Sequence, residues 1–192
     1  MTEKPGKAAG TAKRKFLPGD PEGKAALERM IRVDQAGEYG ARRIYEGQMA
    51  VLGPKHPQAA ILKHMYEQER AHLAAFDEMT VKRGVRPTVL QPVWHVAGFA
   101  LGAATALMGE KAAMACTVAV EEVIDEHYAQ QHEALGDDDP ELSEMIEKFR
   151  TEELEHRDIA LQQGAEDTPG YELLSAGIKA GSRLAIWLSK RF

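Results

Sequence analysis

The 192-residue sequence predicts an all-α protein, and three observations support this expectation. Residues that favour helices, such as Ala, Leu, Glu, Met and Lys, form long stretches separated by glycine and proline. Aromatic residues make up only 6% of the chain, and no window alternates apolar and polar residues as a half-buried strand does. The length is that of one domain that can bury a core, so we expect a single helical bundle.

Charge is distributed unevenly along the chain. The net charge is −6, but residues 1–15 contain five cationic residues and one acidic residue, which leaves −10 on the rest. We therefore predict a disordered basic tail over residues 1–23 and a folded domain over residues 24–192. Nucleic-acid binders are usually basic, so no nucleic-acid partner is expected. The single cysteine, Cys116, excludes a disulfide framework and a zinc site made of cysteines alone.

The first three helices are predicted from the positions of glycine and proline. The first covers residues 24–52 and ends at a segment with one glycine and two prolines, residues 53–57. The second covers residues 58–83 and ends before Gly84. The third covers residues 91–108, which include no acidic residue, lysine or arginine. We expect this helix to serve as the crossover connection of the bundle.

The last three helices are predicted in the same way. The fourth covers residues 111–135 and is followed by the turn at residues 136–140, where an aspartate can cap the next helix and a proline can occupy its first position. The fifth continues to residue 163, and the sixth covers residues 169–189. Helices one, two, four and five are long, and we expect them to form a four-helix bundle.

Two Glu-x-x-His motifs lie on the second and fifth predicted helices. One consists of Glu69 and His72, and the other of Glu153 and His156. Residues i and i+3 are neighbours on one helix face, so each motif directs a carboxylate and an imidazole to the same side. A single motif of this kind is usually a solvated helix surface, and it would predict little by itself.

The motif is part of a longer tandem repeat. Glu38 precedes Tyr45 by seven residues, and Glu121 precedes Tyr128 by seven residues. The Glu-x-x-His motif begins 31 residues after Glu38 and 32 residues after Glu121. The chain therefore supplies the same three residue types twice, within repeats at about 24–83 and 111–163.

The two repeats together predict a centre for two metal ions. Four carboxylates converging in an apolar bundle would repel one another and lose their hydration, whereas two divalent cations neutralise them. Oxygen and imidazole ligands without thiolate favour iron or manganese. This is the ligand set of ferritin-like bundles, so the fold expected is a ferritin-like four-helix bundle with additional crossover and C-terminal helices, about six helices in all. The predicted ligands are Glu38, Glu69, His72, Glu121, Glu153 and His156.

Other acidic residues adjoin these positions. The repeat spacing favours Glu121 over Glu122, and the two lie about 100° apart around the helix, so they cannot both face inward equally. We interpret Glu152 and Glu155 as outward-facing residues or as outer partners of the ligands.

Several longer motifs resemble the demethoxyubiquinone hydroxylase family of di-iron monooxygenases. The resemblance covers residue 25 to the C-terminus and includes the predicted ligand positions. Its motifs lie at residues 33–41, 48–53, 86–90, 113–122 and 152–156.

The resemblance implies a reaction and its components. The substrate would be a polyprenylated benzoquinol, a demethoxyubiquinol (2-polyprenyl-3-methyl-6-methoxybenzoquinol), whose ring receives a hydroxyl group from dioxygen in ubiquinone biosynthesis. The cofactors would be two iron ions, with O2 as co-substrate and NADH or another reductant as the source of electrons. A lipid-binding partner protein of the same pathway would present the quinone.

Residues around the ligands are candidates for supporting roles. Tyr128 and His127 are predicted as an electron or proton relay, with Tyr128 reaching towards Glu153; the alternative is simple packing with a hydrogen-bonded hydroxyl. Asp34 and Asp125 are predicted to accept the outer ring N–H of the histidine ligands.

A polyprenyl quinol dissolves in bilayers, so the enzyme must reach a membrane surface. Residues 87–109 contain no charged side chain, but their glycines and a proline disfavour a spanning helix. We predict a helix that lies on the membrane or packs over the bundle, with a buried crossover or a homo-oligomer contact as the alternative. The sixth helix has basic amphipathic character, which suits an anionic surface. The expected location is the cytoplasmic face of a bacterial inner membrane, with the matrix side of the mitochondrial inner membrane as the alternative.

Two other functions are compatible with the ligand set. One is a ferroxidase or iron-handling ferritin-like protein without an organic substrate. The other is a non-catalytic scaffold of the ubiquinone biosynthetic complex. The uncharged span at residues 87–109 favours the hydroxylase over a ferroxidase, which has less use for such a surface.

Overall fold

A computed structural model describes residues 23–192, and within this range the protein has α-helices and no strand. The all-α class and the bundle are as predicted, and the helix ends lie within two residues of the predicted positions. The predicted basic tail, apart from Gly23, lies outside the described residues. The helices are α1 (Lys24–Leu52), α2 (Ala59–Arg83), α3 (Gln91–Leu107), α4 (Glu110–Leu135), α5 (Pro140–Gln162) and α6 (Tyr171–Ser189), with a short 3-10 turn at Ala165–Asp167.

Each repeat forms a pair of packed helices. α1 packs against α2, and α4 packs against α5, so the four long helices surround one interior. Apolar clusters fill the two ends of this interior. One includes Ile31, Phe76 and Ile146, and the other includes Leu62 and Met114, all of which are fully buried. The clusters leave the polar residues of the repeats at the level between them.

The start of α5 is held by the predicted cap. The side chain of Asp139 accepts a hydrogen bond from the backbone N–H of Leu142 at 3.1 Å, and Pro140 occupies the first turn. Arg83, in the last turn of α2, donates to the same carboxylate, with Nη2 at 3.0 Å from Oδ1. This contact connects the end of α2, in the first repeat, to the start of α5, in the second repeat.

The crossover helix α3 lies on the outside of α1 and approaches its backbone closely. A Cβ atom at Gly102 would overlap the carbonyl oxygen of Ile44, and a Cβ atom at Gly98 would lie 2.8 Å from the carbonyl oxygen of Gly40. Glycine is therefore required for this approach. Apolar side chains on the other side of α3, such as Val96, are exposed.

Helix α6 lies on α4, and ion pairs connect the two helices. Lys179 contacts Glu122, and Arg183 Nη2 lies 2.9 Å from Glu126 Oε2. Two of the basic residues that give α6 its amphipathic character are thus paired with α4. In residues 23–192, no helix has the combination of length and hydropathy needed to cross a bilayer.

Candidate metal centre

Six side chains from four helices converge between the two apolar clusters, and each is at most 2% exposed. They form two groups, and within each group one oxygen or nitrogen atom per residue lies within 4.8 Å of the others. The first group is Glu38, Glu69, His72 and Glu153, and the second is Glu69, Glu121, Glu153 and His156. The structure therefore brings together all six residues that the repeats predict.

Glu69 and Glu153 belong to both groups. Each is the glutamate of a Glu-x-x-His motif, and the spacing of three residues puts it on the same helix face as its histidine. The remaining glutamates, Glu38 and Glu121, come from the first helix of each repeat and belong to one group each. This arrangement can hold two metal ions with two carboxylates shared between them and with one further carboxylate and one imidazole on each side.

Both histidines turn the same ring nitrogen inwards. Nδ1 of His72 lies 3.1 Å from Glu153 Oε1 and 3.4 Å from Glu38 Oε2. Nδ1 of His156 lies 3.1 Å from Glu153 Oε2 and 3.3 Å from Glu69 Oε1. Nδ1 is therefore the nitrogen available to a metal ion in both halves.

The opposite ring nitrogens have two partners: Glu152, which was interpreted as either an outward-facing residue or an outer partner of the ligands, and Gln68, which was not predicted. Nε2 of His72 lies 2.5 Å from Glu152 Oε2, and Nε2 of His156 lies 3.0 Å from Gln68 Oε1. Each partner directly precedes the glutamate of a Glu-x-x-His motif and serves the histidine of the other repeat. The equivalence of Gln68 and Glu152 in the two repeats is a signal that could have identified Gln68 as a functional residue.

The prediction that Asp34 and Asp125 orient the histidines is wrong. Asp34 instead accepts a hydrogen bond from Gln131 Nε2 at 2.8 Å, and Asp125 accepts one from Arg150 Nε at 2.6 Å. The two aspartates lie on α1 and α4, each one helical turn from a ligand glutamate. The outer nitrogens of the histidines instead lie between α2 and α5, where His72 contacts α5 and His156 contacts α2. The aspartates therefore cannot reach them.

Two tyrosines donate hydrogen bonds to glutamates of the opposite repeat. The hydroxyl of Tyr45 donates to Glu121 Oε1 at 2.9 Å, and the hydroxyl of Tyr128 donates to Glu38 Oε1. The prediction that Tyr128 reaches Glu153 is therefore wrong. Burial raises the pKa of both phenols well above the usual value, and nearby carboxylates raise it further, so both hydroxyls keep their protons.

This exchange of tyrosines follows from the directions of α1 and α4. The earlier residue of α1, Glu38, contacts the later residue of α4, Tyr128. The later residue of α1, Tyr45, contacts the earlier residue of α4, Glu121. The helices are thus antiparallel. A tyrosine two turns beyond its own glutamate then lies level with the glutamate of the other helix.

Burial and mutual repulsion dominate the electrostatics of the cluster. Burial raises the pKa of Glu38, Glu69 and Glu121, and the charge of Glu153 raises the pKa of each further. Burial also disfavours the charged form of Glu153, but hydrogen bonds from His156 and His72 outweigh it and lower its pKa to about 2. Glu153 is thus the carboxylate that the imidazoles hold ionised.

Several of these carboxylate oxygens have no hydrogen-bond partner among the described residues. The buried oxygens without a partner are both oxygens of Glu69, Oε2 of Glu38 and Oε2 of Glu121. Buried oxygens without a donor are costly, and a cation at the centre removes that cost. The donor set of carboxylates and imidazoles therefore fits a pair of divalent metal ions.

His127 lies beside the centre and does not contact the six residues. Its Nε2 atom lies 3.3 Å from Asp34 Oδ1 and 2.9 Å from Gln131 Nε2. The other acidic candidates also lie apart from the cluster: Glu122 contacts Lys179, and Glu155 is exposed.

An apolar cavity of about 330 Å³ lies between α1, α3, α4 and α6. Its walls include residues next to the ligands, because Gly37 directly precedes Glu38, Ala41 lies about one turn after it, and Val120 directly precedes Glu121. Trp94 on α3 closes another side. The cavity therefore runs along the helices that carry two of the glutamates, and it suits an apolar ligand.

Comparisons with known proteins agree with this geometry. The family model described as ubiquinone biosynthesis protein COQ7 matches residues 25–189. A 3-demethoxyubiquinol 3-hydroxylase of Rhodospirillum rubrum is 58% identical over 175 residues, which are 91% of this chain and 82% of that protein. A mitochondrial NADPH-dependent 3-demethoxyubiquinone 3-hydroxylase of Homo sapiens is 55% identical over 172 residues (88% and 79%). A mitochondrial 5-demethoxyubiquinone hydroxylase of Saccharomyces cerevisiae is 42% identical over 183 residues (87% and 78%).

Proposed function

We propose, because the chain belongs to the family of ubiquinone biosynthesis protein COQ7, that it is a monooxygenase that hydroxylates the ring of a demethoxyubiquinol in ubiquinone biosynthesis. The resemblance predicted from the sequence motifs is confirmed by this match, and the relatives are named as hydroxylases of that compound. Among the side chains, one observation supports the proposal most directly: the two buried groups of candidate metal ligands share Glu69 and Glu153.

The two groups would hold two iron ions. One ion would bind Glu38 and His72, the other Glu121 and His156, and the two shared glutamates would bind both. When bound, the iron pair supplies the activation of dioxygen that the hydroxylation requires. The site residues and the identity of the metal are proposals that rest on the donor types and on the carboxylate oxygens without partners.

Residues around the ligands would hold them in position. Glu152 and Gln68 orient the imidazoles through their outer nitrogens, a contact that commonly fixes the ring of a metal-binding histidine. Tyr45 and Tyr128 each occupy one oxygen of a terminal glutamate and leave the other oxygen free for a metal. Tyr128 and His127 would act as the relay, with the proton held on the Tyr128 hydroxyl beside Glu38.

The apolar cavity would receive the quinol ring and the first part of its prenyl chain. It is lined mainly by small and aliphatic side chains, and its walls reach the residues that flank Glu38 and Glu121. Water is excluded from such a lining, which favours an apolar ring over a solvated metabolite.

We also propose that the face formed by α3 and α6 contacts a membrane surface. Large apolar side chains on this face are exposed, and the prenyl substrate dissolves in bilayers. A lipid-binding partner protein would present the quinone there. The cytoplasmic face of a bacterial inner membrane and the matrix side of the mitochondrial inner membrane both offer such a surface, and several relatives are named mitochondrial. The exposed side chains are Val93, Val96, Leu107, Met108, Leu173, Leu184 and Trp187.

The membrane proposal can be tested by sedimentation with vesicles. Trp187→Glu and Leu184→Glu are expected to weaken binding, because they place a charge on the apolar face. Val81→Glu, at an apolar residue on α2 that is more exposed than either, is the control. Equal binding by all three variants and the original protein would contradict the proposal.

The hydroxylase proposal is tested with iron-loaded protein, a short-chain demethoxyubiquinol, a chemical reductant and isotopically labelled dioxygen. We expect one labelled oxygen in the quinol ring, detected by mass spectrometry, and its loss in Glu153→Ala. Glu155→Ala changes an exposed glutamate on the same helix and is the matched control. Iron oxidation without a ring product would support the ferroxidase alternative, and full pathway activity of Glu153→Ala in cells would support the scaffold.

A further inference from the structure

The two groups of candidate ligands have the same kinds of inner donors, but their histidines have different outer partners. In the group that contains His72, the His72 half, Nε2 of the ring lies 2.5 Å from a carboxylate oxygen of Glu152. In the group that contains His156, the His156 half, Nε2 lies 3.0 Å from the amide oxygen of Gln68. The symmetry of the two repeats is therefore broken at this outer contact.

Both outer partners accept a hydrogen bond from an imidazole, but only one of them carries a charge. Each ring turns Nδ1 to the centre, so it carries its proton on Nε2 when Nδ1 binds a metal ion. Glu152 accepts this N–H with a carboxylate, whereas Gln68 accepts it with a neutral amide. A hydrogen bond to an ionised acceptor is shorter and roughly twice as strong as one between neutral groups, which agrees with the two distances.

A charged acceptor strengthens the nitrogen on the opposite side of the ring as a ligand. It polarises the N–H bond of His72, and the ring then donates more electron density through Nδ1. It also adds a negative charge near the His72 half, which attracts a divalent cation. Gln68 fixes the ring of His156 but supplies no such charge. We therefore expect the His72 half to bind a metal ion more tightly.

The surroundings of Glu152 screen part of this charge. Its side chain is 28% exposed, and Nζ of Lys148 lies 3.9 Å from its Oε1 atom. The contact with His72 is made by the other oxygen, Oε2, and the ring of His72 is only 1% exposed. Solvent and Lys148 thus weaken the long-range attraction, whereas the hydrogen bond at the buried ring is kept.

Aromatic packing favours the same half. The ring of His72 stacks on Phe149, with the ring centroids 4.0 Å apart and the planes at 25°. Phe149 corresponds to Met65 in the first repeat, because each lies four residues before the glutamate of its Glu-x-x-His motif. The ring of His156 instead meets Tyr45 edge-on, with centroids 6.1 Å apart. His72 is therefore held on a ring face as well as by its outer partner, and a preorganised ligand loses less entropy on binding.

We propose that the two metal positions are filled in order, the His72 half first, and that the contact between Glu152 and His72 sets this order. Glu152 is a positioning residue, because it acts on the metal through the imidazole. Filling the His72 half also orders the shared carboxylates of Glu69 and Glu153, which are then in place for the second ion. The proposal rests on the proposed function, which requires a pair of iron ions at this centre.

The order is measured by anomalous X-ray scattering at the iron edge. The protein is incubated without dioxygen with half an equivalent of Fe(II) per chain and then crystallised, and the iron occupancies of the two positions are compared. We expect the position beside His72 to hold roughly three times or more the iron of the position beside His156. This readout does not depend on the activity of the loaded enzyme.

Variants that exchange the two outer partners separate the charge of the contact from its shape. Glu152→Gln should lower the occupancy ratio, because both histidines then have an amide as acceptor. Glu152→Gln/Gln68→Glu should lower it by a similar factor again, because the charged acceptor now serves His156. Glu155→Gln removes an exposed glutamate from the same helix and is the matched control, which should keep the original ratio.

Equal occupancies in the original protein would overturn the proposal, as would a ratio that neither variant of Glu152 changes. Failure of the proposed function gives a different result. Protein that binds two iron ions in the expected order, but puts no labelled oxygen into the quinol ring, would support the order of filling and contradict the hydroxylase. Equal filling together with a labelled product would contradict the order alone.

Discussion

The two repeats build matching halves of the candidate metal centre but differ at their outer ends. Near the centre, Tyr45 and Tyr128 make the same contact with opposite glutamates. One residue before these tyrosines, Ile44 lines the apolar cavity, whereas His127 lines a polar cavity between α1, α4 and α6. Two like ions need the same donors, so the inner positions correspond. The outer positions carry no such requirement and can differ in function.

A second difference concerns the helices that cover the repeats. α3 lies on α1 through close backbone contact at glycines, whereas α6 lies on α4 through side chains and ion pairs. At its glycines, α3 therefore has no room for added volume, whereas the glycines of α6 have open space around them.

The largest effect is expected from the shared glutamates. Glu69→Ala should abolish binding of both metal ions, whereas Glu121→Ala should mainly affect the ion beside His156. Elemental analysis after reconstitution with iron measures the difference. Without metal, Glu69→Gln should be at least as stable as the original protein, because it removes one of several buried, mutually repelling carboxylates. Equal metal loss in the two alanine variants would show that the two groups do not act as separate halves.

The outer partners of the histidines come next in magnitude. Glu152→Ala should reduce metal affinity by about 10–100-fold, since such contacts orient the ligand imidazole. Glu152→Gln should have a smaller effect, because it makes the second repeat resemble the first, where Gln68 has this position. Competition with a chelator measures the affinities. An unchanged affinity in Glu152→Ala would contradict the assignment of an orienting role.

The covering helices should respond oppositely to an added methyl group. Gly102→Ala should destabilise the protein by about 1–3 kcal/mol, because the new Cβ overlaps the backbone of α1. Gly177→Ala, on α6, meets no atom within 4 Å and should stabilise by about 0.5–1 kcal/mol through helix propensity. Urea denaturation gives both values. Destabilisation by both variants would show that α6 is as closely packed as α3.

The smallest effect is expected at the beginning of the second helix of each repeat. α5 has the Asp139 cap, whereas α2 begins without a side-chain cap. Hydrogen bonding to Arg83 lowers the pKa of Asp139 below its unfolded value, so its contribution is present above the unfolded pKa and is lost as pH falls through the folded pKa. Asp139→Asn should reduce this acid dependence, and Asp139→Ala should cost about 0.5–2 kcal/mol near neutral pH.

Urea midpoints recorded from acidic to neutral pH test this prediction. Gln58→Ala, at the uncapped start of α2, is the corresponding variant in the first repeat and should leave the acid dependence unchanged. Identical pH profiles for the original protein and Asp139→Asn would contradict the role assigned to the carboxylate.

Much of the centre was predictable because its information is local and repeated. The spacing within Glu-x-x-His places Glu69 with His72 on one helix face, and the recurrence of the spacing selects Glu121 over its neighbour Glu122. The helix ends were likewise predictable from glycine, proline and one capping aspartate. Each of these inferences requires only residues within a few turns of the same helix.

The predictions that were wrong all concern contacts between helices. Asp34 was expected to orient a histidine but bonds Gln131, and Tyr128 was expected to reach Glu153 but bonds Glu38. Sequence distance along one helix does not state which residue of another helix lies level with it. That relation depends on helix direction and on the rotation of each helix about its axis.

The sequence by itself determined the class of fold, the six converging residues and the family of the protein, because periodicity and motif spacing are properties of single helices. Only the tertiary structure decided that Glu69 and Glu153 are shared, that Gln68 and Glu152 serve the histidines of opposite repeats, and that one end of the bundle opens beside His127. The physical reason is that these features depend on how four antiparallel and crossing helices are placed against one another, which no single segment encodes.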